Sequence, residues 1–345
     1  MKLCIVPVLA VCAIGSLSAQ ETTNSAENPF STRWARLNAL SVGFRSVVEQ
    51  NSAGANTVAQ GQHQEFVSGE FRFDKDAKYT LQTSFSSGNV FTGGWSDSDI
   101  GRAKGTYGLY WKKFYLSAKP VAGVEFQYGG IGIEQGTISE IIGYSNDGYV
   151  TGGRVSVRQP RILFFDTVSA TFGYLGDLNT PEMNKRFRRL DQVNFRQYLV
   201  TKRIGSRAEV SLQYSNRWGI KTFNQSIKLA AKESRFVDAV LVEFYERVRG
   251  DAHSGFNLGA EKGISTRLKV GGGYAALDRN IGDLNTNAFF HGNRVYLMAD
   301  FRVAPAVTFF ALVNHGVNNA YALPNRTHVH FGFSYDIVKA FSAKS

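Results

Sequence analysis

Residues 327–337 read THVHFGFSYDI, and their pattern recurs through most of the chain. Every second residue is apolar, and the residues between them are His328, His330, Gly332, Ser334 and Asp336. Because successive side chains of a strand point to opposite faces, this segment predicts a strand with one apolar and one polar face. In a soluble sandwich the apolar face would pack in a core, whereas in a transmembrane barrel it would contact lipid.

Residues 1–19 have the composition of a secretory signal peptide. Lys2 precedes an apolar stretch at 3–14, and small residues lead to a predicted cleavage after Ala19. Lipidation of Cys12 is the alternative processing route. Both cysteines, Cys4 and Cys12, lie in this segment, so we expect no disulfide, thiolate metal site or cysteine nucleophile in the mature chain.

The charge balance restricts the partners of an exported chain. The formal net charge is +11, which favours anionic solutes or lipid phosphates as partners. The sequence has no glycine-rich phosphate loop, zinc-finger spacing or nucleic-acid motif, so we expect no cofactor and no nucleic acid. No apolar run after residue 19 is long enough for a transmembrane helix.

A polar lead-in is predicted at 20–37, and about sixteen strand-like segments follow between 38 and 341. Long and short connections alternate between these segments, as in a meander that closes into a barrel. The predicted strands are 38–48, 64–73, 78–86, 107–118, 121–128, 149–158, 162–174, 192–203, 207–215, 222–231, 236–248, 254–262, 266–276, 291–303, 308–315 and 327–337.

A soluble all-β protein, such as a sandwich, propeller or lectin, is the competing interpretation. Two features favour a membrane barrel. The sequence lacks a propeller-like repeat of about forty residues. Residues 207–214 and 267–274 alternate polar or small with mainly apolar side chains along their length, which indicates one lipid-facing side.

The signal peptide, the alternating loops and the aromatic-ended last strand together resemble bacterial outer-membrane porins. The resemblance implies an all-β transmembrane antiparallel barrel of about 16 strands, with long extracellular loops and short periplasmic turns. Two points depart from the pattern. Residues 338–345 follow the last strand, with Phe341 as an imperfect terminus. Segments 129–148 and 175–191 both compete for the role of the inward-folded constriction loop.

The residues that alternate with the apolar ones would line the lumen of such a barrel. Basic residues outnumber acidic ones among them, and fixed cations in a pore attract anions. Alternatively, many of these charges pair across neighbouring strands and stiffen the wall. The predicted anion-attracting residues are Arg45, Arg72, Arg154, Arg158, Arg207, Lys228, Arg267, Lys269, Arg294 and Arg302.

A second basic cluster, Lys185, Arg186, Arg188 and Arg189, lies in one long loop. Folded inward it would filter anions, folded outward it would contact lipopolysaccharide phosphates, and as a solvated loop it would do neither. Two carboxylates conflict with the pattern, because Asp166 and Glu243 fall within apolar runs, where a lipid-facing carboxylate is costly.

Histidines cluster near the ends of the last strands. Ordinary interfacial imidazoles explain His315, His328 and His330, so we expect no metal site; a divalent-metal site or a pH-sensitive mouth formed by these three residues is the alternative. Catalysis is not expected, because no GxSxG-type nucleophile turn is present and paired carboxylates are sparse.

The sequence therefore predicts an outer-membrane channel for passive diffusion of small hydrophilic solutes, with mild anion preference and no enzymatic activity. The alternative is a non-channel barrel with a blocked lumen, serving adhesion, lipopolysaccharide binding or structural anchoring. Expected partners are outer-membrane lipid, lipopolysaccharide and the solutes. Assembly as a homotrimer is left open.

Overall fold

The structure is a computed structural model. It describes residues 29–89, 93–139, 141, 149–158, 164–176, 180–189, 191–231, 234–248, 253–281, 289–318 and 325–342. The predicted signal peptide at 1–19 lies outside the described residues.

Alternating sequences form seventeen strands in one sheet. They are β1 Ala35–Gln50, β2 Asn56–Arg72, β3 Tyr79–Ser86, β4 Ser96–Gly101, β5 Tyr110–Ala118, β6 Val124–Gly132, β7 Tyr149–Arg158, β8 Thr167–Tyr174, β9 Phe195–Ile204, β10 Ala208–Arg217, β11 Ile220–Ala230, β12 Ala239–Arg247, β13 Ser254–Gly263, β14 Leu268–Leu277, β15 Gly292–Ala304, β16 Val307–Val317 and β17 Thr327–Asp336. Two short 3-10 helices, Met183–Lys185 and Phe187–Arg189, lie between β8 and β9. A six-residue helix, α1 Ile337–Ser342, follows β17.

Sixteen of these strands close into an antiparallel barrel. The first and last strands pair with each other, from Ser41 opposite Asp336 to Gln50 opposite Thr327. Each further wall strand pairs with its neighbours along the chain, except that β3 pairs directly with β5. Closure leaves no sheet edge unpaired along the wall. The predicted fold class is thus confirmed.

The sequence pattern missed two features at one end of the barrel. Residues 49–63, expected to be mostly a loop, instead extend β1 and β2 to a tight turn, where the Asn51 side chain accepts hydrogen bonds from the backbone N–H groups of Ala53 and Ala55. The short β4 pairs with this extension, with Ser96 opposite His63. Both segments are polar on both faces, so hydrophobic alternation did not mark them. We call this end, which also carries the connection after β6, the outer end, and the other the inner end.

The two faces of the wall differ in polarity as predicted. On β17, His328 and His330 are buried inside the barrel, while Phe331, Phe333 and Tyr335 are exposed on the outside. Apolar side chains are similarly exposed around the wall, including Val42, Leu116, Phe126, Tyr128, Val155, Tyr198, Phe244, Leu258, Val295, Leu297 and Phe309. This inverted arrangement, apolar outside and polar inside, suits a barrel surrounded by lipid.

Both ends of the described chain meet at the inner end. The first strand begins at Ala35, within the predicted lead-in, and the last wall strand ends at Asp336. Phe341, in α1, packs edge-on against Phe30 with 5.5 Å between the ring centres. None of the helices in the described residues is long and apolar enough to cross a bilayer.

Asp166 does not face lipid. The strand predicted at 162–174 begins only at Thr167, so Asp166 lies in an inner-end turn. Its carboxylate accepts hydrogen bonds from the backbone N–H of Arg203 and, at 3.2 Å, from the ammonium of Lys202. The conflict between Asp166 and the apolar pattern arose because the predicted strand begins too early.

Candidate functional site

The connection after β6 folds into the barrel. Residues 134–139 and 141 pass along the inner wall, and their isoleucines belong to an apolar cluster that reaches β16, so one of the two predicted constriction loops is folded inward in its described part. The hydroxyl of Thr137 hydrogen bonds to Ser211 of β10 at 2.8 Å and to Ser226 of β11 at 2.7 Å. We call residues 134–139 together with Ile141 the inward segment.

Glu243 anchors the inward segment by polar contacts. Its carboxylate accepts hydrogen bonds from the backbone N–H and the hydroxyl of Ser139. It also accepts them from Tyr245 at 2.8 Å and from Asn257 at 2.6 Å. Glu243 is fully buried and faces the interior. The apolar run around Glu243 therefore does not place its carboxylate on the lipid-facing side of the wall.

An apolar cluster anchors the same segment further along. Ile138 and Ile141 are buried against Tyr245, Leu277 and Leu312 on the inner wall. This patch buries apolar side chains inside a barrel whose inner wall also carries many polar side chains. Because the apolar contacts and the Glu243 hydrogen bonds hold adjacent residues, the inward segment is fixed in position along the wall.

The second candidate loop, 175–191, also packs onto the inner wall. Met183 is fully buried with Val150 and Phe195. Gly130 makes this possible, because a Cβ atom at that position would lie 2.2 Å from the Met183 methyl carbon. The sequence left open which of the two loops folds inward; in the described residues, both contact the interior.

The basic cluster of this loop is divided. Lys185 forms an ion pair with Glu182 at 2.7 Å, and Arg186 is buried, donating to the backbone oxygen of Thr180 at 3.0 Å. Arg188 and Arg189 are exposed. The four residues thus have three different environments.

Several predicted lumen cations pair with carboxylates toward the inner end. Arg72 contacts Glu70 at 2.6 Å. Lys228 and Lys269 approach the two carboxylate oxygens of Glu261 at 2.8 and 2.7 Å. The two contacts of Glu261 match the alternative in which cross-strand pairs stiffen the wall, whereas the Arg72–Glu70 pair lies within β2.

Arg154 and Arg158 are four residues apart on the same face of β7. Arg154 is buried and hydrogen bonds to Thr171 at 2.9 Å and to the backbone oxygen of Gly132, next to the inward segment. Arg158 lies 3.5 Å from Glu125 and is half exposed. Of the two, only Arg154 contacts the base of the inward segment through a hydrogen bond.

Three further predicted cations lie at the inner end. Arg207 and Arg267 precede β10 and β14 by one residue, so they lie in exposed turns instead of on strands. Arg302 is near the end of β15 and is also exposed. They surround the inner mouth instead of lining the middle of the wall.

Arg45 lies deeper in the barrel and contacts an aromatic side chain that the sequence did not single out. Its guanidinium carbon is 4.6 Å from the centre of the Trp95 ring, and its Nε donates to Gln62 at 2.7 Å. Trp95 also meets Phe310 at 5.5 Å. A Cβ at Gly43 would lie 3.0 Å from the indole, so this glycine provides space for Trp95.

Residues 93–96 are held inside by Lys112. This fully buried lysine of β5 donates to the backbone oxygens of Gly88 at 2.8 Å and Gly93 at 3.2 Å. The ring of Trp95 thereby reaches the inner faces of β1 and β16. Its position depends on contacts between distant parts of the chain, which explains why no local pattern marked it.

The histidines divide between the two faces of the wall. His328 and His330 point inward, with 3.3 Å between His328 Nε2 and His330 Nδ1, and Glu49 lies 3.2 Å from His328 Nδ1. His315 is exposed and hydrogen bonds to Thr327 at 2.8 Å. The alternative in which the three histidines come together does not match this arrangement, because His315 lies opposite Thr327, on the other face of the wall from His328. Within the part of the chain that the structure describes, no group of three or more metal-ligating side chains is present.

Aromatic rings connect these groups along the outer half of β17. The His330 ring lies 6.1 Å from Phe310, and the His328 ring lies 6.1 Å from Phe290. Arg294 and Arg326 each have a guanidinium carbon 5.1 Å from the centre of the Phe290 ring. Cations therefore lie at both ends of a continuous row of rings, which can offer charge and apolar surface to a solute together.

No protein-family model and no curated protein sequence matches the chain. Solved structures do. A mutant of the Rh. blastica porin has a TM-score of 0.54 and 11% identity, with 87% of this chain and 99% of that chain covered. The triple mutant of the Rhodopseudomonas blastica porin gives a TM-score of 0.53 at 11% identity, covering 87% and 99%. A structure described as "Asymmetric conductivity of engineered proteins" gives 0.53 at 10%, covering 88% and 100%. The chain thus shares the fold of these porins over nearly its whole described length.

Proposed function

We propose that the protein is an outer-membrane channel for passive diffusion of small hydrophilic solutes. The observation that carries this proposal is the closed sixteen-strand wall with an apolar outer and a polar inner face. A wall of this size encloses enough space for water, whereas the interior of an eight-strand barrel is filled by side chains. The likeness to the Rhodopseudomonas blastica porin supports the same interpretation.

The inward segment is proposed to form the constriction. Its anchors on Ser211, Ser226 and Glu243 hold it against one side of the wall. Arg45 and Arg294 lie on β1 and β15, beyond the strands that hold these anchors. A solute would then pass between the segment and this basic part of the wall.

A mild preference for anions is part of the proposal. Fixed cations such as Arg45, Arg154 and Arg294 raise the local concentration of anions in a confined, partly desolvated passage. The pairing of Lys228 and Lys269 with Glu261 reduces the contribution of the inner end. The net effect is a modest selectivity, set mainly by residues of the outer half.

The second candidate function is a barrel whose lumen is blocked. Its specific support is the burial of inner-wall side chains, including Ser211, Asn224 and Asn257, beneath the inward segment and its neighbours. Adhesion or lipopolysaccharide binding would then depend on outer loops, where Arg188 and Arg189 are exposed. Assembly as a homotrimer and cleavage after Ala19 remain proposals of the same kind.

Swelling of proteoliposomes tests the channel proposal. Vesicles containing the refolded protein, placed in isotonic arabinose or sucrose, should swell at rates that fall with solute size. Vesicles with correctly folded protein that swell no faster than empty ones would favour the blocked barrel.

A further inference from the structure

Two guanidinium groups lie against one aromatic ring at the outer end. Arg294 is the third residue of β15, and Arg326 directly precedes β17. Each guanidinium carbon is 5.1 Å from the centre of the Phe290 ring. The fold therefore brings together two like charges that are 32 residues apart.

Arg294 is buried with neutral partners. Its side chain is 2% exposed. Its Nε donates to the side-chain oxygen of Asn314, and its Nη2 donates to the backbone oxygen of Arg326 at 3.0 Å. Burying a cation is costly unless an opposite charge compensates it. Among the described residues, no ion pair joins a carboxylate to Arg294 or Arg326.

A carboxylate close to this pair, that of Glu49, is directed toward a histidine. Glu49 hydrogen bonds to His328 at 3.2 Å, and His328 in turn contacts His330 at 3.3 Å. Arg45 lies beyond His330 on the same side of the barrel. Among the described residues, Arg294 and Arg326 thus share only the negative charge of Glu49, so this part of the wall carries excess positive charge.

We propose that Arg294 and Arg326 form a binding site for a small oxyanion, namely the carboxylate or phosphate group of a solute entering the barrel. A guanidinium presents a planar pair of N–H donors that matches two oxygens of such a group. Arg326 is exposed and can reach a solute, and Phe290 provides an apolar floor beside it. The bound oxyanion would supply the charge that buried Arg294 lacks. The inference rests on the proposed channel function and names its substrate class.

Ion selectivity in planar bilayers tests the site. Arg326→Gln removes an exposed side chain and leaves the buried packing of Arg294 unchanged. Its matched control is Arg102→Gln, which removes another exposed outer-end guanidinium, one that donates to the backbone of Asn56. In a potassium chloride gradient near 0.1 M, where the screening length is about 10 Å, Arg326→Gln should lower the anion-to-cation permeability ratio several-fold. Arg102→Gln should leave it nearly unchanged.

Block of the chloride current identifies the ligand chemistry. Inorganic phosphate and acetate are added in separate arms at millimolar concentration. Arg326→Gln should raise the half-blocking concentration of phosphate, acetate or both by about tenfold, the effect of losing a charge-assisted hydrogen-bonded pair. Arg326→Lys, which keeps the charge without the planar fork, should retain the permeability ratio and weaken the block.

Two results are decisive against the site. The site would be overturned if Arg326→Gln changed neither the permeability ratio nor the block. It would also be overturned if Arg102→Gln shifted both quantities as much as Arg326→Gln does, because the effect would then come from the general surface potential. A wild-type protein that folds and does not conduct would instead contradict the channel proposal, and the oxyanion site in the channel with it.

Discussion

At the inner end, the carboxylates of two aspartates join neighbouring strands through the same type of contact. Asp166 precedes β8 and contacts Lys202 and the backbone of Arg203, and Asp238 precedes β12 and contacts Lys262 and the backbone of Gly263. In each case the carboxylate connects the start of one strand to the end of the following strand, β9 or β13. The lysine ammonium and the Gly263 N–H hold the pKa of Asp238 below its ordinary value, and the corresponding contacts, led by the Arg203 N–H, lower that of Asp166.

These two carboxylates predict an acid-dependent stability. A carboxylate whose pKa is lowered in the folded state stabilises the barrel at pH values above the ordinary aspartate pKa. That contribution is lost as the pH falls below about 4. The double variant Asp166→Asn, Asp238→Asn should therefore lose less stability on acidification than the wild type. The fraction folded in detergent, measured by heat-modifiable gel mobility between neutral and acidic pH, gives the comparison.

Asp76→Asn is the control for this effect. Asp76 lies in the turn after β2, 3.8 Å from the ammonium of Lys78, in an exposed ion pair. Exposed pairs of this kind contribute little to stability. The folded fraction of this variant should therefore fall with pH along the same curve as that of the wild type. If the double variant also followed it, the turn carboxylates would not be the source of the acid sensitivity.

Among the elements, the inward segment depends on one buried carboxylate. Replacing Glu243 by Ala leaves the Ser139 N–H, the Tyr245 hydroxyl and Asn257 without their acceptor, at a cost of about 1–3 kcal/mol for each unsatisfied group. The segment should then detach from the wall. We expect a changed single-channel conductance and a larger open-channel noise.

The conservative variant separates detachment from unfolding. Glu243→Gln retains an oxygen acceptor and should keep the wild-type conductance more closely than Glu243→Ala does. Glu209→Gln, which removes a carboxylate that lies 3.5 Å from Arg203 near the inner end, is the matched control. Identical conductance and noise in all four proteins would show that Glu243 does not position the constriction.

The strands were predictable because lipid and water select opposite side chains on the two faces. All sixteen wall strands have counterparts in the sequence pattern. The exceptions are informative: β4 reads SDSDIG, and the outer part of β2 contains Gln60 and Gln62, so neither has an apolar face to mark it. Away from the lipid belt, strand pairing depends on backbone hydrogen bonds, which the side-chain pattern does not report.

The interior was only partly predictable. The alternation of polar and apolar residues assigned Arg45, Arg154 and Arg294 to the inner face, because an odd or even position along a strand decides which face a side chain lies on. Their partners could not be found in this way. Trp95 and Phe290 come from connections that fold back against distant strands, and no local sequence signal records such contacts.

The barrel as a whole is apolar outside and polar inside. This arrangement predicts that the two faces differ in their tolerance of charged substitutions. Leu258 is half exposed at the centre of β13 on the outer face. Leu258→Arg should reduce the free energy of folding into bilayers by about 2–4 kcal/mol, the cost of a cation at the midplane. Urea titration of the barrel in lipid vesicles measures this difference.

An inner-face substitution provides the comparison. Gln82 lies inside the barrel and donates to Glu70 at 2.6 Å, so an arginine there would meet a carboxylate. Gln82→Arg should fold nearly as well as the wild type. Equal destabilisation by Leu258→Arg and Gln82→Arg would contradict the assignment of outer and inner faces.

An open passage along the barrel axis is the central functional claim, and single-channel recording tests it most directly. The full mature chain, refolded and inserted into a planar bilayer in potassium chloride, should produce discrete, stepwise increases in current. A protein with the heat-modifiable mobility of a folded barrel that inserts without any conductance step would contradict the claim and favour the blocked barrel.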